Sequence, residues 1–139
     1  MKIIVTFLFG FLIFLLTCTE NVDELVFNQQ LHFQFNPYPD FNPFLNFTGY
    51  PFGSSVYITQ KMGHGLFFFL FSLLLSRVTN KFLTVITISI LYALITEIAQ
   101  LYFSRTGCLL DVFYDSLGVL SYYTVWLNSS KKEYYQVES

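Results

Sequence analysis

Charged side chains are scarce in this chain. Asp, Glu, Lys and Arg make up 12% of its 139 residues, whereas a soluble domain would carry about 25%. The net charge of −2 leaves no basic surface of the kind that binds nucleic acid, so no nucleic-acid partner is predicted. The two cysteines, Cys18 and Cys108, lie far apart and have no zinc-type spacing. With 54% hydrophobic residues gathered into runs, the sequence is typical of a membrane protein.

Proline is confined to one stretch, and the hydrophobic runs lie outside it. All four prolines fall between residues 37 and 51, which excludes a regular helix there. We predict an all-α membrane protein with four transmembrane helices and a long aromatic extracytoplasmic loop between the first and second. The predicted spans are Lys2–Cys18, Lys61–Ser76, Phe82–Phe103 and Leu109–Leu127. The predicted regions are an N-terminal helix (1–18), the loop (19–57), a three-helix membrane core (58–127) and a polar cytoplasmic tail (128–139).

The first hydrophobic run permits two interpretations. Lys2 is followed by an apolar run that ends at Cys18. A retained transmembrane helix is the preferred interpretation, because the rest of the chain is itself apolar enough for a membrane. The alternative is a cleaved signal, with residues 15–18 resembling a lipoprotein cleavage site. Cys18 and Cys108 both fall on the outer side in either case and could pair.

The long loop is acidic at its start and aromatic afterwards. Glu20, Asp23 and Glu24 open it, and Phe and Tyr alternate with Asn-Pro turns over residues 35–44. So many rings argue against a freely solvated linker, and we predict that the loop lies at the membrane interface. Two roles stay open, namely interfacial packing and a lid over a site.

Positive charges predict the orientation of the spans. With four spans, Lys2, the Arg77/Lys81 pair and the Lys131/Lys132 pair fall on one side, and Lys61 and Arg105 on the other. Since cytoplasmic loops carry the excess of Lys and Arg, both termini of this multi-pass protein are predicted to be cytoplasmic.

Polar side chains on three of the spans are predicted to meet at one depth. Glu97 and Gln100 are three residues apart near the outer end of their helix, and therefore share a face. Asp111, Asp115 and Gly118 are spaced i, i+4, i+7 near the start of the last helix. With His64 near the outer end of its own helix, these side chains would line a small polar cavity open to the outside, within about 10 Å of the outer surface.

Several chemistries suit a histidine with three carboxylates. A His beside a carboxylate can shuttle a proton, and one His with Asp and Glu oxygens could hold a divalent ion. No residue spacing forms a metal motif, so neither a metal nor a cofactor is predicted. No Ser or Cys stands out as a nucleophile, and enzymatic activity stays uncertain. The same residues could simply lock the helices together, with Arg105 pairing with Asp111 or Glu97.

Four ordered motifs resemble the VanZ-like family. They are Lys61-x-x-His64 at a helix start, Glu97-x-x-Gln100 at the end of the next helix, Arg105, and Asp111-x-x-x-Asp115-x-x-Gly118 opening the last helix. The resemblance covers about residues 40–127. The chain departs from the family pattern at Gln60, where Asp is frequent, and at Asp115, where Asn is usual.

The resemblance implies a small integral protein of the bacterial cell membrane. Its namesake is linked to low-level resistance to the glycopeptide teicoplanin. The chain is thus expected to act at the outer membrane surface on a cell-envelope precursor or a glycopeptide, in contact with membrane lipids. Catalytic roles are assigned to His64, Glu97 and Asp111, and substrate binding to Lys61, Gln100, Arg105 and Asp115. The alternatives are an acid/base hydrolase or transferase acting on a lipid-linked substrate, and a non-catalytic structural module.

Overall fold

A computed structural model describes residues 1–19, 28–30, 32–46, 48 and 50–137, with side chains as far as residue 127. The acidic start predicted for the loop, at Glu20, Asp23 and Glu24, lies outside the described residues. So do the side chains of Lys131 and Lys132, on which part of the predicted orientation depends.

The described part of the chain contains four α-helices and one short 3-10 helix. They are α1 (Lys2–Cys18), the 3-10 helix (Pro43–Leu45), α2 (Ser55–Ser76), α3 (Phe82–Tyr102) and α4 (Leu109–Val137). The predicted all-α class is confirmed. By length and composition, α2 and α3 can each cross a membrane, and α1 is a shorter apolar helix. The four-span topology stays a prediction.

Helix α2 begins six residues before its predicted start at Lys61. The predicted start assumed that Lys61 lies at the solvent-exposed end of the helix. Instead, its side chain is largely buried, because its ammonium group pairs with Asp111 of α4. The helix therefore continues back through Ile58 and Tyr57 to Ser55. At 1.5 Å per residue, His64 lies about 14 Å along the axis from the first residue, deeper than its predicted position near the helix end.

Helix α4 extends beyond its predicted end at Leu127. It runs to Val137, through residues that the sequence assigned to a polar tail. Residues 128–137 contain neither Pro nor Gly, so nothing in the sequence breaks the helix. The polarity of these residues marks the end of the apolar surface and not the end of the helix.

The four helices enclose a core of large apolar side chains. Phe68 of α2, Val85 of α3 and Val119 of α4 are almost completely buried in it. Ser72 and Ser89 meet across α2 and α3, where one hydroxyl donates to the other at 3.0 Å. The backbones of α2 and α4 approach each other closely at Gly65 and Gly118. Small residues permit this kind of close crossing between apolar helices.

Helix α1 packs against α2 and α3. Ile13 is buried, and the Tyr92 hydroxyl of α3 donates to the Gly10 carbonyl at 2.6 Å. A Cβ atom at Gly10 would come within 3.2 Å of the Phe71 ring, so glycine lets α1 approach α2. These contacts are consistent with a retained helix, and removal of residues 1–18 would expose the surface they cover.

Loss of the Tyr92 hydroxyl should loosen α1. We expect Tyr92→Phe to lower the free energy of unfolding in detergent by about 0.5–1.5 kcal/mol, because one hydrogen bond to the α1 backbone is lost. Tyr38→Phe is the control, since the Tyr38 side chain is exposed and this change should leave stability unaltered. Equal stability of both variants would show that α1 does not depend on this contact.

Aromatic residues of the loop cover the end of α3. Phe35 stacks on Tyr102 with ring centroids 6.4 Å apart, and Phe33 meets Phe103 edge-on at 5.7 Å. The Asn36 N–H donates to the Tyr102 carbonyl at 2.7 Å, which satisfies one of the free carbonyl groups at this helix end. The loop is thus attached to the helix that carries Glu97.

Candidate functional site

The turn between α3 and α4 brings the two helices together at Glu97. Ser104 adopts a left-handed conformation (φ 55°), and the Arg105 N–H donates to the Gln100 carbonyl at 2.9 Å. This pattern ends α3 and reverses the chain. A Cβ atom at Gly107 would collide with the Glu97 carbonyl, so only glycine lets the turn lie against α3.

Glu97 is completely buried, and two hydrogen bonds hold its carboxylate. The Gln100 side-chain amide donates to Oε1 at 2.6 Å, and the Cys108 backbone N–H donates to Oε2 at 3.0 Å. Gln100 lies one turn after Glu97 on the same helix face, as the spacing predicted. The carboxylate orientation is therefore fixed from both sides.

His64 of α2 lies next to a carboxylate of α3 and a carboxylate of α4. Its Nδ1 lies 3.3 Å from Oδ1 of Asp115 and 3.9 Å from Oε1 of Glu97. Asp115 is completely buried, whereas the His64 side chain keeps 26% of its surface exposed. The imidazole is therefore the accessible member of the three, and the two carboxylates lie behind it.

Lys61 of α2 and Asp111 of α4 form an ion pair, about one helical turn from His64 and Asp115 on the same two helices. Lys61 Nζ lies 2.6 Å from Asp111 Oδ1, and the exposed fractions of the two side chains are 13% and 8%. The Lys61 ammonium group also lies 4.9 Å from the centre of the Tyr57 ring, within the range of a cation–π interaction. The structure thus brings together six predicted site residues, which we call the polar cluster: Lys61, His64, Glu97, Gln100, Asp111 and Asp115.

Arg105, the seventh predicted site residue, has its contact elsewhere. Its guanidinium donates to the Thr19 carbonyl just after α1, at 2.5 Å. Among the described residues it forms no ion pair with Asp111 or Glu97, because Lys61 takes Asp111 and two neutral donors take Glu97. In this structure Arg105 ties the end of α1 to the α3–α4 turn.

The two cysteines are free thiols, and both are buried. Cys108 Sγ accepts a hydrogen bond from the Leu110 N–H at 3.3 Å, which caps the first turn of α4. It also accepts one from the Tyr50 hydroxyl at 2.7 Å. Burial, followed by the hydrogen bond with the Cys108 thiol, raises the pKa of Tyr50. Tyr50 thereby fixes the loop beside the Cys108 backbone, whose N–H donates to Glu97. Because both thiols are free, the Cys18–Cys108 pairing that the sequence allowed is not formed.

Three contributors to the site were not predicted from the sequence. They are the Cys108 N–H, Gly107 and Tyr50. Gly107 carried a signal, since a glycine just before a helix that opens with acidic residues often marks a close backbone approach. Nothing in the sequence marks the Cys108 N–H or Tyr50, because backbone donors and loop side chains follow no spacing rule.

A groove opens beside the ion pair, between α2 and α4. Its volume is about 570 Å³. Apolar side chains such as Leu66, Phe69 and Leu117 form most of it, and Lys61 lies in its wall. An apolar channel with a charged group in its wall suits an amphiphile.

The arrangement can hold a proton or a cation at the centre of the polar cluster. His64, Glu97 and Asp115 each offer a ligand atom, and these three atoms lie within 4.8 Å of one another. The same imidazole nitrogen, Nδ1, faces both carboxylates and could exchange a proton with Asp115 at 3.3 Å. Lys61 places its ammonium group in the wall of the groove, where it could bind a polar group.

Comparisons with known proteins give one family. The sequence model of the family described as VanZ/LLP1 matches residues 2–129. The chain is similar to "Uncharacterized membrane protein YwnJ" of Bacillus subtilis (strain 168), with 33% identity over 125 residues that cover 88% of each protein. No solved structure matches the chain.

Proposed function

The chain belongs to the VanZ/LLP1 family of membrane proteins, and from this premise we propose that it binds an amphiphilic cell-envelope component at the outer membrane surface. The polar cluster would be the binding site. In this proposal the chain spans the membrane four times and both termini are cytoplasmic, which places Lys61, Glu97 and Asp111 toward the outer surface.

The observation that carries the proposal is the position of the Lys61–Asp111 pair in relation to the groove. Lys61 lines the apolar groove, and its ammonium group pairs at 2.6 Å with Asp111 of α4. An acyl or polyprenyl chain would fit along Leu66, Phe69 and Leu117, while its polar head meets the Lys61 ammonium group. Simple helix packing needs no such opening beside a buried charged pair.

The namesake of the family suggests a glycopeptide phenotype as the test. We expect a sensitive Gram-positive host that expresses the chain to gain tolerance to teicoplanin more than to vancomycin. Glu97→Gln and Asp111→Asn should abolish this gain at matched membrane levels, because each removes a buried charge of the polar cluster. The measurement is the minimal inhibitory concentration of each antibiotic.

Asp40→Asn is the matched control, since Asp40 is an exposed loop carboxylate outside the polar cluster. It should keep the full effect. If all variants protect as well as the intact chain, the polar cluster is not the binding site. If the intact chain gives no protection, the glycopeptide role of the namesake does not extend to this protein.

A second candidate is an acid/base enzyme that hydrolyses or transfers a group on a lipid-linked substrate. The observation in its favour is the contact of His64 Nδ1 with both Asp115 and Glu97. An altered profile of lipid-linked envelope intermediates on overexpression, lost in a His64→Gln variant, would favour the enzyme over simple binding. In the third candidate, a structural module, the same variants would lower the folded yield instead.

A further inference from the structure

His64, Glu97 and Asp115 have the geometry of a cation site, and we propose that they bind one divalent transition-metal ion of the zinc or manganese type. The three residues come from three different helices, and their ligand atoms lie within 4.8 Å of one another. The distances from His64 Nδ1 are 3.3 Å to Asp115 and 3.9 Å to Glu97. Ligands at about 2.1 Å from one metal ion are themselves roughly 3–4 Å apart.

An independent observation is the state of the Asp115 carboxylate. Asp115 is completely buried, yet within the described residues no donor forms a hydrogen bond of good geometry with either of its oxygens. Oδ1 has the His64 contact at 3.3 Å, and Oδ2 accepts no hydrogen bond within the described part of the chain. Buried carboxylate oxygens are normally bonded or coordinated, so this carboxylate has room for a ligand.

The charge around the site also favours a cation. Lys61 neutralises Asp111, and the described contact of Arg105 is with Thr19. Among the described residues, His64 is the basic side chain within 4 Å of the Glu97 and Asp115 carboxylates, and its imidazole supplies at most one positive charge. Two buried carboxylates with so little compensation are costly in a membrane protein. A divalent ion would balance both carboxylates while the imidazole remains neutral.

The surroundings hold the ligands in place. Gln100 donates to one oxygen of Glu97 and the Cys108 N–H donates to the other, which leaves a lone pair on each oxygen. Such outer hydrogen bonds orient metal ligands in known metal sites. One imidazole nitrogen with carboxylate oxygens suits zinc or manganese. Three protein ligands would leave a coordination position open for water or a further ligand.

Binding of the ion does not depend on which envelope component the groove binds. A measurement of bound metal therefore tests this inference separately from the proposed function. The chain would be purified in detergent with a histidine-free tag, stripped with a chelator, and incubated with Zn²⁺ or Mn²⁺ alone. We expect one ion per chain after desalting, measured by mass spectrometry of the metal, and a higher unfolding temperature with the ion than without it.

Three variants test whether the bound ion lies at His64, Glu97 and Asp115. His64→Ala and Asp115→Asn should each weaken binding more than about tenfold, since each removes a ligand. His32→Ala should bind normally, because His32 is the other of the two histidines in the chain and is no part of the site. If His64→Ala fails to fold, the isosteric Asp115→Asn decides the question.

Two outcomes would overturn the inference. One is a chain that binds neither ion and gains no thermal stability from either. The other is binding that persists unchanged in Asp115→Asn, which would place the ion elsewhere. If the first outcome is found in a chain that still protects against teicoplanin, the inference fails and the proposed function stands.

Discussion

Replacing Gly118 with alanine should prevent α2 and α4 from packing, with a loss of about 3 kcal/mol or more in the free energy of unfolding. A Cβ atom at this position would collide with three backbone atoms of Gly65, including its carbonyl oxygen. Backbone atoms cannot rotate away as a side chain can, so the helices would have to separate. The measurement is the yield of monodisperse protein in detergent, followed by thermal unfolding of what remains.

Two glycines of the facing helix α2, Gly63 and Gly65, provide matched controls for the same substitution. A Cβ atom at Gly63 would meet no atom within 4 Å, and one at Gly65 would come no closer than 3.5 Å to the Tyr114 carbonyl. Gly63→Ala and Gly65→Ala should therefore fold normally, and the added methyl group should slightly favour the helix. A Gly118→Ala variant as stable as Gly63→Ala would contradict the close crossing.

This crossing illustrates what residue spacing predicts well. The i, i+4, i+7 spacing of Asp111, Asp115 and Gly118 places them on one face of α4, and the structure directs that face toward α2 and α3. In the same way, the spacing of Glu97 and Gln100 predicts a shared face, on which the structure shows a hydrogen bond of 2.6 Å between their side chains. A shared face depends only on the helical period, which is the same in every α-helix.

The partners of the charged side chains could not be predicted from the sequence, because they depend on how each helix is rotated and shifted relative to its neighbours. The pairing of Lys61 with Asp111 and the contact of Arg105 with Thr19 both join residues that are far apart in the chain. The early start of α2 follows from the first of these pairs, since a lysine looks like a helix boundary until its partner is known. The second shows that a charged residue near a site can serve the packing of another helix.

The ion pair itself gives the second large effect. We expect Lys61→Met to destabilise the protein by about 3–5 kcal/mol, because it leaves Asp111 buried without a cation. The Asp111 side chain is 8% exposed, so water cannot replace the ammonium group. Asp111→Asn should cost less, since the long Lys61 side chain can turn its charge toward the surface. Thermal or denaturant unfolding in detergent measures both changes.

The double variant Lys61→Met/Asp111→Leu separates stability from function. Two apolar side chains of similar size can replace a buried ion pair at little cost, so we expect the double variant to recover most of the stability that Lys61→Met loses. If the pair only holds α2 and α4 together, this folded double variant should also keep any protection against teicoplanin. If the pair binds the polar group of an envelope component, the double variant should fold and yet fail to protect. A double variant as unstable as Lys61→Met alone would mean that Lys61 and Asp111 are not energetically coupled.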